Sequence, residues 1–217
     1  MRIILEDKSM SKTGAIAGLV SIVCYFGAVL LPLPQMLGNL LGFAFGPMVI
    51  VSYLGIFSFW SKNYDGALLR ISCVFGIIYG AIVTSLIFIQ VANNMWHAEQ
   101  MASDPTSLNA DKYITIHAAV NRVQAALDVA FDLFVTVSVI LLGLVLFRGK
   151  RASKIYGVTG VLIASLLMAL NLYTFPDGPA EAGLFDAGPF LGLWYSAFFV
   201  WMTFLVYSKH TSSTNQP

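Results

Sequence analysis

Six uninterrupted apolar runs constrain this chain more than any other feature: Gly14 to Leu33, Gly38 to Trp60, Ile71 to Val91, Val129 to Phe147, Ile155 to Phe175 and Pro189 to Tyr207. A helix needs roughly 20 mostly apolar residues to cross the hydrocarbon core of a bilayer, and each run meets that length. Barrel strands are about half as long and alternate in polarity, whereas these runs are continuous. Only 11% of the residues are charged, about half the share of an ordinary soluble domain. The expected fold is therefore all-α, an integral membrane bundle of six transmembrane helices forming a single transmembrane domain over residues 1–217. The helices are expected at about 14–33, 38–60, 69–93, 113–147, 155–175 and 189–207, followed by a tail over 208–217.

The basic residues give an orientation. The termini and the even-numbered connections carry Arg2, Lys8, Lys12, Lys62, Arg70, Arg148, Lys150, Arg151, Lys154 and Lys209, while the other side carries only Lys112 and Arg122. Short loops rich in Lys and Arg stay in the cytoplasm, so both termini and the tail are predicted there. Acids distribute the other way: Glu99, Asp104, Asp111, Asp177, Glu181 and Asp186 face outward. The opening "MRIILEDKSMSK" leads into an apolar run with no small-residue cleavage site after it, which predicts an uncleaved first helix. A net charge of +1 and the lack of a phosphate-binding glycine loop argue against a nucleic-acid partner. Cys24 falls near mid-membrane and Cys73 near the inner boundary, too far apart in depth for a disulfide. The one long connection, from Asn93 to about Val120, holds an Asp104-Pro105 turn and Asn109 as a helix cap, so the fourth helix is predicted to begin near Asp111 and to project beyond the bilayer or tilt.

Five of the six runs carry no charge; the fourth carries Asp132, with Asp128 immediately before it. At 100° per residue, His117, Asn121, Gln124, Asp128 and Asp132 share an arc of roughly 80°, one polar stripe at the outer end of the fourth helix. Arg122 points away from it. Counting about 1.5 Å per residue up from the inner basic residues, Asp132, Asn171 and the segment from Thr84 to Gln90 reach one level, with Asn39, Asn93 and Asn94 close by. Charged groups avoid lipid, so the stripe should face the bundle interior or a water-filled vestibule open to the outside. Asp128, Asp132, Gln124, Asn121, Asn171, Gln90 and His117 are the candidate ligand-binding residues. Two readings stand beside each other: polar groups hydrogen-bonded across helices as packing, and a site for a cation, a proton or a small polar solute.

No catalytic residue and no cofactor is expected, since no nucleophile motif accompanies the acids and histidine is scarce. His97 and His117 both lie outside and offer a metal site only together with the aspartates; no His-x-x-x-His or Glu-x-x-His spacing backs one. Gly38, Gly42 and Gly46 repeat every four residues before Pro47, as do Gly14/Gly18 and Gly76/Gly80. Such faces pack helices closely within a bundle, or join copies into a homo-oligomer. Trp60, Trp96, Trp194 and Tyr195 fall near the ends of the runs and are expected as interfacial anchors. The outer stretch "FPDGPAEAGLFDAGPF" is expected to form a rigid turn.

Three segments, "GAIAGLVSIVCYFGAVLLPLP", "VQAALDVAFDLF" and "LNLYTFPDGPAEAGLFDAGPFLGLWY", together resemble a family of uncharacterised bacterial six-helix integral membrane proteins. The resemblance implies a multi-pass protein of the bacterial inner membrane and marks Gln124, Asp128, Asp132, Asn171, Pro176, Asp186, Gly188 and Pro189. It implies no activity. The functional expectation is a small transporter or channel-like protein with an outward-facing polar site; the alternatives are a non-catalytic subunit or sensor and, least supported, an intramembrane enzyme.

Overall fold

The computed structural model describes residues 8–64, 66–103 and 110–211, and these fold into six α-helices with no strand among them. They are α1 (Lys8–Leu30), α2 (Gln35–Trp60), α3 (Ala67–Ser103), α4 (Ala110–Leu146), α5 (Arg151–Thr174) and α6 (Gly188–Thr211). The helix boundaries differ from the apolar runs for local reasons. Pro32 and Pro34 cannot continue a helix, so α1 stops at Leu30 rather than residue 33 and α2 starts directly after Pro34. α3 continues to Ser103, ten residues past its expected end, and α6 runs to Thr211, into the expected tail. Asp104, Pro105 and Asn109 lie outside the described residues, as do Arg2, Glu6, Asp7 and Asp65.

All six helices are long and apolar enough to cross a membrane. Their outward faces are apolar as well: Leu162 and Phe204 are 65% and 70% exposed, a surface that water would not tolerate around a whole bundle. This is the make-up of a multi-pass membrane protein.

Each helix packs on its neighbours in sequence, and α6 returns to α1, so the six close into a ring. Paired glycines bring the backbones together. A Cβ on Gly14 would lie 2.3 Å from the Cα of Gly55, joining α1 to α2. A Cβ on Gly46 would meet the Gly80 carbonyl at 2.5 Å between α2 and α3, and one on Gly157 would meet the Gly143 carbonyl at 2.6 Å between α5 and α4. Gly18 and Gly76 instead make room for the rings of Phe199 and Tyr53. The repeating glycines thus pack within the chain, except Gly38, which faces open space.

The half of the ring nearest Lys62, Arg70, Arg148 and Arg151, its basic end, is filled with aromatic rings. Trp60 stacks on Phe198 at 5.6 Å, Trp194 on the same ring at 5.2 Å, and Tyr156 on Trp201 at 4.6 Å. The anchor expectation fails for Trp60 and Trp194: both are buried, and the Trp194 indole donates to the Tyr156 carbonyl at 3.0 Å. Proximity to the end of an apolar run was a poor guide because these indoles turn inward to plug the ring. Tyr195 also turns inward.

Replacing Gly55 by Leu forces α1 and α2 apart and should cost about 2–3 kcal/mol. Gly38→Ala, with nothing to strike, should be neutral or stabilise by up to about 1 kcal/mol. Unfolding curves in detergent micelles check both.

Candidate functional site

The polar stripe of α4 divides into two parts with different partners. At its upper part, away from the basic end, Asn93 on α3 donates through Nδ2 to Asn121 Oδ1 at 2.9 Å and to the His117 carbonyl at 3.3 Å. His117 Nε2 lies 3.1 Å from Asn94 Oδ1, and its Nδ1 lies 3.4 Å from Asn121 Nδ2. An amide oxygen only accepts and an amide nitrogen only donates, so the tautomer with its proton on Nε2 satisfies both contacts. Both ring nitrogens are then committed, and His97 stacks on the same ring at 4.2 Å. No group of three or more His, Cys, Asp or Glu side chains able to hold a metal occurs among the described residues. His117 and Asn121 therefore stitch α3 to α4. Gln124, next along the stripe, keeps its Nε2 buried without a partner among the described residues.

The lower part faces a cavity of about 600 Å³ enclosed by the ring, in the half opposite the basic end. Asp128 and Asp132 reach it from α4, one helical turn apart, and Gln90 reaches it from α3. Asp128 and Gln90 are exposed and Asp132 is half-buried, so the stripe descends from the mouth into the cavity. Asn171 on α5, buried to 2% exposure, fixes the deeper acid: its Nδ2 donates to Asp132 Oδ2 at 3.0 Å and to the Leu167 carbonyl at 3.1 Å. Both amide hydrogens are thereby used, which leaves the other carboxyl oxygen of Asp132 to the cavity. A third acid comes from the loop before α6, where Asp186 Oδ1 accepts from the Gly188 amide at 2.8 Å and so caps that helix while standing at the mouth. Gly188 and Pro189 share this wall, whereas Pro176 is exposed elsewhere, in the α5–α6 connection. Arg122 is tied outside the cavity to Asp177 at 2.7 Å, an exposed pair.

Beneath the cavity runs a line of hydroxyls, of which those of Tyr53 and Tyr195 belong to residues bordering it. Ser72 and Ser138 exchange donations to each other's carbonyls at 2.8 Å, Ser138 Oγ lies 2.9 Å from the Tyr53 hydroxyl, and Tyr53 is bonded in turn to Tyr195. This line joins α2, α3, α4 and α6 at mid-bundle. Tyr25, Tyr53, Tyr79 and Tyr195 all border the cavity, and sequence reasoning named none of them as site residues. A signal existed: Tyr79 sits nine residues from Arg70, about 13 Å up, where a polar tip meets no water unless the interior holds a cavity. Cys24 and Cys73 are buried free thiols.

Fold and site together define an all-α protein of membrane-spanning type whose helix ring holds an acidic cavity. No known protein family, curated protein or solved structure matches this chain, so its likeness to six-helix membrane proteins rests on the six apolar helices themselves.

Removing the Asn93 side chain with Asn93→Ala leaves Asn121 Oδ1 without its donor and should destabilise the α3–α4 pair by about 1–2 kcal/mol. Arg122→Ala, which breaks only an exposed ion pair, should cost less than about 1 kcal/mol. Chemical denaturation of the two variants in one detergent, compared with wild type, reads the difference.

Proposed function

We propose that this protein is a small transporter or channel-like protein of the bacterial plasma membrane, with both termini in the cytoplasm and a vestibule that takes a cation, a proton or a small polar solute from the outer side. The observation that carries the reading is the composition of the cavity wall: Asp128, Asp132 and Asp186 border it and, among the described residues, no Lys, Arg or His does. A cleft lined by one sign of charge with apolar walls focuses its field and concentrates ions of opposite sign. The ten-to-two division of basic residues supports cytoplasmic termini, and with that orientation the acidic mouth faces outward.

The route beyond the cavity is closed by the Tyr53–Tyr195 pair and the stacked rings of the basic end. Passage through the ring therefore requires those rings to move, which suits a gated transporter better than a standing pore. In proteoliposomes containing the purified protein, uptake of at least one of rubidium, protons or an organic ammonium should exceed that of empty vesicles. The Asp128→Asn, Asp132→Asn double variant should lower that uptake by about tenfold or more. Unchanged uptake in the double variant would remove the vestibule from the route.

One observation favours a second reading, a non-catalytic membrane subunit or sensor. α3 and α4 each hold 37 residues, about 55 Å of helix against roughly 30 Å of hydrocarbon. Their ends stand clear of the bilayer as a braced pair, a surface suited to a partner protein. Copurification of a partner that is lost when residues 98–115 are replaced by a short turn, with no flux of any cation, would select this reading.

A further inference from the structure

Besides the three acids and the uncharged polar side chains of Gln35, Asn39, Gln90, Ser21 and Ser52, the cavity wall is mainly aromatic and aliphatic. Tyr25 lies against Phe45 with ring centroids 5.4 Å apart on the α1/α2 side, and Tyr79 against Phe131 at 5.0 Å on the α3/α4 side. Phe131 immediately precedes Asp132, so a carboxylate and an aromatic ring enter the cavity from adjacent positions of one helix. Tyr79 offers the cavity a further polar group. It is 5% exposed, borders the cavity, and its hydroxyl makes no hydrogen bond with any described residue. That hydroxyl is therefore free to bond to whatever the cavity holds.

These features discriminate among cations. Calcium and magnesium take about six oxygen ligands or more and zinc about four ligands, whereas no cluster of three His, Cys, Asp or Glu side chains able to hold a metal occurs among the described residues. The volume of about 600 Å³ is that of a pocket for a small organic molecule. Anions are opposed by three carboxylates with no balancing base on the wall among the described residues. Aromatic faces attract ammonium groups, and the same faces and the aliphatic wall accommodate an apolar body.

We propose that the cavity binds a small organic ammonium ion with an apolar body, its charged head placed between Asp128 and Asp132 and beside the Tyr79 hydroxyl, its body against the rings of Tyr25, Phe45 and Phe131. The assignment rests on the cation-binding reading of the vestibule and narrows it to one chemical class. Tyr79 accepts a hydrogen bond from the ammonium head. Asp132, oriented by Asn171, supplies the inner counter-charge, and Asp128 supplies the outer one.

The test is equilibrium binding to the full chain in lipid nanodiscs at neutral pH and constant ionic strength, with benzylammonium chloride as the probe. Benzyl alcohol serves as its uncharged counterpart, and potassium, sodium and calcium chlorides as inorganic competitors. Benzylammonium should bind saturably, and benzyl alcohol about tenfold more weakly or not at all. Asp132→Asn, which keeps an oxygen for Asn171, should weaken benzylammonium binding by about tenfold, and Tyr79→Phe should weaken it by a smaller factor. Asp128→Asn, at an exposed position, gives the same readout if Asp132→Asn does not fold. Saturable binding of an inorganic cation with none of benzylammonium would overturn the organic class while leaving a cation vestibule standing. Equal binding of benzyl alcohol and benzylammonium would overturn it too, since the carboxylates would then be idle. No saturable binding of any cation to cooperatively folded protein would overturn both the class and the vestibule.

Discussion

Helices surrounded by hydrocarbon gain nothing by hiding leucine from lipid, so what holds them together must be close contact and polar bonding. Here the close contact is supplied by glycine pairs, Gly14 with Gly55, Gly46 with Gly80 and Gly143 with Gly157, where any side chain would strike backbone. Three of the five sequential helix pairs are drawn together in this way. The polar bonding is supplied at separate levels, with Ser11 and Ser58 near the basic end at 3.0 Å, the serine–tyrosine line at mid-bundle, and the asparagine–histidine contacts at the far end. The ring that results is tight where glycines meet and aromatic rings fill it. It is open in the other half, where no glycine pair joins α6 to its neighbours.

That opening gives the aspartates their setting. Asp128 and Asp132 share a face of α4 with His117 and Asn121, yet of these four only the acids border the cavity, while the upper two bond to Asn93 and Asn94 of α3. Asn171 makes the difference at the lower level: a buried amide on α5 that spends one hydrogen on its own helix and the other on Asp132 orients the acid without neutralising it. The arrangement is costly for packing alone, since a hydrogen-bonded neutral side chain would join α4 to α5 with less desolvation.

Much of the fold was legible. The apolar runs located six helices because their length and lack of charge leave few alternatives, although the first run, taken through residue 33, overshot the turn that Pro32 and Pro34 set. Helix ends beyond the apolar runs were less visible: the second half of α3 is polar, and its helix is set by pairing with α4 through Asn93 and Asn94. The site was legible in part. Helical periodicity aligned Asp128 and Asp132 and depth counting brought Asn171 to their level, but periodicity could not tell which members of the stripe a neighbouring helix would cover. The aromatic share of the wall escaped notice because tyrosine and phenylalanine in an apolar run look the same whether they face lipid, core or cavity. Trp60 and Trp194 misled for that reason.

The central claim is that Asp132 serves an occupant of the cavity and not the cohesion of the helices, and the ligand-free thermal stability of Asp132→Asn tests it most directly. An asparagine still accepts from Asn171 and no longer carries a charge inside the helix ring, so the account predicts a melting temperature equal to or above that of wild type. A fall of several degrees, comparable to the loss on separating α1 from α2 at Gly55, would contradict it and make the acid a structural tie between α4 and α5.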